Sequence, residues 1–269
     1  MNLKKINLLV IFALTYCFFH ILETRLAIKP NLIQRLSFDH IFKSNSVKDI
    51  LKALIKQEKS IWIVLEKILC KTKQECITLK QHNEWATEYK ELEEKIITEH
   101  HTATPISQEN YHLAHEVFND FNVDAQSVTL VQSNSLSPAS STDTTLFINE
   151  ELFNTMEPLV QEFILAHEIS HIIMKDHSTD FVIAKLKELQ NINSDELNQA
   201  INLLSQFIEA RADILASLHN EEYTLGHILF MVDELSFSGN TPYDDYPLNT
   251  TRLDLGEKIL DLHASNTQI

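Results

Sequence analysis

Two histidines stand four residues apart, with a glutamate directly after the first, in Ala166-His167-Glu168-Ile169-Ser170-His171-Ile172. On an α-helix such positions share a face, about 6 Å apart. Two imidazoles so placed can reach one tetrahedral zinc ion. Glu168 is offset by one position, so its carboxylate can approach a water at the metal without ligating, as a general base must. The flanking residues are apolar nearly all round, which predicts a buried helix. Imidazole and carboxylate groups on such a helix need partners. Two core histidines with ordinary hydrogen bonds would also fit this pattern taken alone.

A second cluster supplies what a pair of imidazoles lacks. Glu209-Ala210-Arg211-Ala212-Asp213 lies in another apolar helical stretch, and its two acids are again four apart. Glu209 can serve as third ligand, and Asp213 can accept the spare N–H of His167 and fix its tautomer. Ala210 and Ala212 are small enough for the two helices to approach closely. The competing reading is a solvated Glu209 with Asp213 paired to Arg211. A rival third ligand is His177, ten residues after His167. That geometry needs a sharp turn at Met174, where a side chain disfavours positive φ. If the helix continues, His177 rises about 9 Å above His171 and points elsewhere. His177 is then a surface histidine near a helix C-terminus. Met231, a candidate turn methionine, sits inside a helical pattern. His112 and His115 have no third partner in view and read as surface or packing residues.

Long helices are the elements that must hold these groups. Only 3 Gly and 6 Pro occur in 269 residues, too few breakers for a chain of tight hairpins. Apolar residues at three- and four-residue spacing predict helix from Val47 to about Ile97. The charge-rich stretch Glu84 to Lys95 reads as a solvated helix face, and Thr102 to Pro105 as a boundary. Further helices are expected over 107–121, 157–175, 179–190, 195–218, 222–235 and 251–264, with Asp195 as a cap. Ser127 to Val131 and Thr144 to Ile148 read as short strands, and the Ser/Thr-rich segment 133–143 as a loop between them. The fold class is α+β and predominantly helical.

Lys4 and Lys5 precede an apolar run from Ile6 to Leu22. A basic start before such a run predicts a signal peptide or a membrane anchor and an exported, periplasmic or extracytoplasmic chain. The sequence leaves cleaved signal and retained anchor both open. Cys70 and Cys76 flank a polar stretch and read either as a disulfide in an oxidising compartment or as two unrelated thiols. With Cys17 they are the only cysteines, and none forms a CxxC pair. The net charge of −16 argues against nucleic acid as the main partner, because phosphates need a basic face.

The paired motifs resemble those of the gluzincin metallopeptidases that include the prenyl-protein CAAX endopeptidases, bacterial heat-shock membrane proteases and periplasmic outer-membrane-biogenesis proteases. His167 to His171 matches their HExxH, and Glu209 to Asp213 their ExxAD helix. Thr144 to Asn149 is similar to the short edge strand before their active-site helix, a strand able to pair with an extended substrate. The likeness covers about residues 107–256. The family carries a late His-Pro with an arginine five residues after the proline; here Tyr246-Pro247 precedes Arg252, so tyrosine replaces histidine. Ser170 replaces the usual glycine.

The resemblance implies a zincin-like peptidase domain with a small sheet over 105–269, after a helical region over 29–104 and the apolar segment 1–28. It implies one zinc ion per chain, protein or peptide substrates, Glu168 as base, and Tyr246 with Arg252 supporting the oxyanion or the frame of the site. A membrane-tethered binding or chaperone-like protein that hydrolyses little is the alternative, motivated by Tyr246 and the helical region 47–97.

Overall fold

Apolar spacing becomes helix along most of the chain. The computed structural model describes residues 42–69, 83–100, 105–190, 195–237 and 249–266. The run Ile6 to Leu22, the three cysteines, Tyr246 and Pro247 lie outside these residues. Among the described residues no helix is long and apolar enough to cross a membrane. The protein is mostly helical with one small three-stranded sheet.

The helical pattern expected over 47–97 divides into α1 (Val47–Leu69) and α2 (Asn83–His100). Next come α3 (Gln108–Asp120), the strands β1 (Thr129–Gln132), β2 (Ala139–Ser141) and β3 (Thr145–Ile148), and the single turn α4 (Glu150–Phe153). Helices α5 (Pro158–Met174), α6 (Asp176–Gln190), α7 (Asp195–His219), α8 (Glu221–Phe237) and α9 (Asn249–Asn266) complete the described chain. Ser107 caps α3 by accepting from the Asn110 N–H, and Pro158 opens α5 at a position where a missing N–H is harmless.

The sheet corrects two sequence expectations. Its order is β1-β3-β2, with β1 parallel and β2 antiparallel to β3. The strand Thr144 to Ile148 is therefore central, with a strand on each side, and cannot offer an edge to a substrate. The outer strand near the imidazole helix is β2, inside the segment expected to be a loop. Ala139-Ser140-Ser141 has no apolar alternation, so periodicity does not reveal it. Its place comes from the backbone ladder and from serine hydroxyls that find partners.

A further correction concerns α2. Most of its charged face is exposed, but Glu93 is buried. Its Oε1 accepts from Thr142 Oγ1 at 2.5 Å, Thr144 Oγ1 at 2.8 Å and Thr144 N at 3.0 Å. Tyr89 adds its hydroxyl as acceptor for the Asp143 N–H at 3.3 Å. Helix α2 thus clamps the turn between β2 and β3.

Helix α7 runs between two apolar clusters. One joins Ile50, Leu54, Ile61 and Leu65 of α1 to Leu204, Phe207 and Ile208 of α7 and Ile259 of α9. The other joins Phe118, Leu146, Ile148, Phe153, Phe163 and Leu165 to Ala216. Helix α1 therefore shares a core with residues beyond the boundary expected near 104. Close approach of α8 to α5 depends on Gly226, where a Cβ would lie 2.0 Å from the carbonyl oxygen of Leu159.

Candidate metal centre

Helix α5 is mostly apolar and buries both histidines: His167 is 9% exposed and His171 5%. The four-residue spacing brings their Nε2 atoms within 3.0 Å of each other. Two ring nitrogens this close are held by a shared cation or by a proton on one of them. Helix α7 crosses with Glu209 facing the pair. Glu209 Oε2 is 3.4 Å from His167 Nε2, and Oε1 is 3.8 Å from His171 Nε2. A tetrahedral ion with bonds of about 2.1 Å requires donors about 3.4 Å apart, a value these separations bracket. Glu209 Oε2 is buried and has no hydrogen-bond partner. Among the described residues, His167, His171 and Glu209 form the group able to hold a metal ion.

Each imidazole turns its other nitrogen to a buried carboxylate. His167 Nδ1 is 2.9 Å from Asp213 Oδ1, as the spacing of Glu209 and Asp213 predicts. His171 Nδ1 is 2.9 Å from Asp176 Oδ2, a partner that no motif spacing indicates. With each N–H donated to its carboxylate, both Nε2 lone pairs are free to face the ion. Arg211, an alternative partner for Asp213, instead donates to Asp176 Oδ1 and, at 2.7 Å, to Glu58 Oε1 of α1.

The turn that places Asp176 also sets the position of His177. Helix α5 ends at Met174, and Lys175 takes the left-handed conformation at φ 56° and ψ 48°. The helix neither continues to His177 nor turns at Met174. It breaks one residue later, and α6 begins at once. The His177 ring lies 6.2 Å from that of His171, centroid to centroid, but His177 is outside the metal-holding group.

Glu168 is not among the ligating residues, and its Oε2 accepts from the Ser141 hydroxyl at 2.7 Å. The outer strand thus holds the carboxylate expected to act as base. Ser141 has no signal in the sequence beyond its place in a serine-rich stretch. Arg252 of α9 sits on Asp213: Nε donates to Oδ2 at 2.6 Å and Nη2 to Oδ1 at 2.8 Å. Arg252 thus stands behind Asp213, on the carboxylate that His167 Nδ1 also meets. His227 is wholly buried, stacked 4.7 Å from the Phe163 ring, with Nδ1 3.0 Å from Ser217 Oγ and Nε2 3.7 Å from Asp213 Oδ2.

The charges suit a cation. Burial opposes ionisation of Asp213, yet the Arg252 guanidinium beside it holds its pKa well below the usual carboxylate range. Burial also opposes protonation of His167, but the hydrogen bond to Asp213 and the negative charges of Asp213 and Glu209 push its pKa up to about 10. Without a metal, a proton on His167 balances these carboxylates. Burial pushes His227 down to about 4, leaving it neutral.

Comparison with known proteins returned no match to a family model, a curated protein or a solved structure.

Proposed function

We propose that this protein is a zinc-dependent endopeptidase of zincin-like fold, with His167, His171 and Glu209 as ligands and Glu168 as general base. The observation that carries the reading is the Glu209 carboxylate, its buried Oε2 without a hydrogen-bond partner, facing two imidazole nitrogens whose rings are fixed from the other side by carboxylates. Nitrogen and carboxylate donors in a closed trio, leaving one tetrahedral position for water or substrate, are the usual set for catalytic zinc. A bound zinc ion supplies Lewis acidity, making water acidic near neutral pH and polarising a carbonyl.

The residues divide the remaining work. Glu168, oriented by Ser141, takes the proton of the attacking water and passes it to the leaving amine. Asp213 and Asp176 fix the ring orientation of His167 and His171. Arg252 holds Asp213 from the opposite side. The outer edge of β2, which has no second strand neighbour among the described residues, lies beside Glu168 and suits backbone pairing with an extended peptide. The resemblance to the gluzincin metallopeptidases points the same way. Tyr246 as an oxyanion donor and export through the apolar run Ile6 to Leu22 complete the proposal.

Metal analysis and a casein digest of purified wild type and Glu168→Gln test it together. The wild type should carry one zinc ion and lose hydrolysis on chelation. The variant should keep zinc and lose about 10²–10⁴-fold in rate. Full activity in Glu168→Gln, or a wild type that hydrolyses nothing, would sink the reading.

A further inference from the structure

The carboxylate behind His171 is not an isolated contact. Asp176 is 3% exposed and divides its oxygens: Oδ2 accepts from His171 Nδ1 at 2.9 Å, and Oδ1 accepts from Arg211. Arg211 is 5% exposed, and its other terminal nitrogen donates to Glu58 Oε1 at 2.7 Å. Its guanidinium carbon lies 5.6 Å from the Phe207 ring centroid, and Nε has no hydrogen-bond partner. Arg211 thus leaves a donor unused while spanning two carboxylates on different helices. Glu58 lies on α1, far from the metal ligands in sequence, and α1 packs along α7 through Ile50, Leu54, Ile61 and Leu65.

We infer that Asp176, Arg211 and Glu58 are positioning residues that tie the second metal imidazole to helix α1, so that the seating of α1 sets metal affinity. The inference rests on the zinc-site reading. An arginine paired with Asp176 alone would cancel its charge and weaken its pull on the imidazole N–H. Glu58 returns one negative charge to the chain of contacts, and the Asp176 carboxylate keeps its power to raise the basicity of His171. The bridge also fixes the angle of the carboxylate, because both Asp176 oxygens and both Arg211 terminal nitrogens are committed. Displacing α1 removes Glu58, frees Arg211 to turn, and loosens the imidazole that depends on it.

The test uses the full-length chain as wild type, Asp176→Asn and Glu58→Ala. Three quantities are read: zinc affinity by competition with a chromophoric chelator, thermal unfolding of the metal-free protein, and the visible d–d absorption of the cobalt(II)-loaded protein. Asp176→Asn should lose about 10–100-fold in zinc affinity, and Glu58→Ala about tenfold, the lower end of that range. Both should change the cobalt spectrum, which a role confined to stability would not move. Folded variants that bind zinc within twofold of wild type, with an unchanged cobalt spectrum, overturn the inference while leaving the zinc reading intact. If Asp176→Asn fails to fold, Glu58→Ala decides alone, since its side chain is 22% exposed and stands furthest from the ligands. A wild type that takes up no zinc overturns both this inference and the reading beneath it.

Discussion

Asp213→Asn should be the most damaging single-atom-scale change in the molecule. Asp213 has no exposed surface, and Arg252 is only 6% exposed. Three nitrogens converge on the carboxylate: His167 Nδ1 at 2.9 Å, Arg252 Nε at 2.6 Å and Arg252 Nη2 at 2.8 Å. Taking the Asp213 and Arg252 charge centres as about 4 Å apart, an effective dielectric of about 20 gives an attraction of about 4 kcal/mol. An amide at this position loses that attraction and turns its own N–H₂ toward at least one donor. Removing one partner of a buried ion pair costs about 3–5 kcal/mol, a large part of the roughly 5–15 kcal/mol typical of a whole fold. Urea unfolding of the metal-free protein measures this, and a double-mutant cycle with Arg252→Met isolates the pair. The expected coupling is about 2–3 kcal/mol. The zinc affinity of any folded Asp213→Asn should fall about 10–100-fold. A stability loss below about 1 kcal/mol, or a coupling near zero, would refute the argument.

The metal-free protein should also lose stability as pH rises from about 7 to 10. His167 is pushed up to about 10 from its ordinary value of 6.5, so its contribution is complete below about 6.5 and lost as pH climbs through the folded value. If a zinc ion takes the place of that proton, its binding at about pH 8 should release protons, countable by calorimetry in buffers of different ionisation enthalpy; flat stability over this range contradicts the assigned contacts. Asp213 acts in the opposite window: its depressed pKa gives stability that is complete above about pH 4 and lost on acidification. Gly226→Ala should destabilise by about 2 kcal/mol or more, because the added methyl meets the Leu159 carbonyl at 2.0 Å. A variant melting with wild type would mean that α8 and α5 separate freely.

Much of the site is legible in the sequence because its key spacings are local. His167 with His171, and Glu209 with Asp213, are pairs whose facing follows from 3.6 residues per turn on any helix. Helix extents are legible for the same reason, since their apolar stripes repeat within each segment. Glu93 is hidden because a buried carboxylate in a charge-rich helix looks like its exposed neighbours until the threonines that claim it are known. Strand β2 is hidden because serines carry no apolar period, and reading it as loop leaves β3 wrongly at the edge.

The residue types and helical phase by themselves determined which side chains could share a metal, and that a glutamate, Glu168, would sit beside them. Only the tertiary structure decided what stands behind those groups. Asp176 reaches His171 because the chain breaks at Lys175, Ser141 reaches Glu168 because β2 pairs with β3, and Arg211 chooses Asp176 and Glu58 because α1 packs on α7. Contacts within one helix follow from its own geometry. Contacts between elements depend on which faces are buried together, and that is a property of the whole chain.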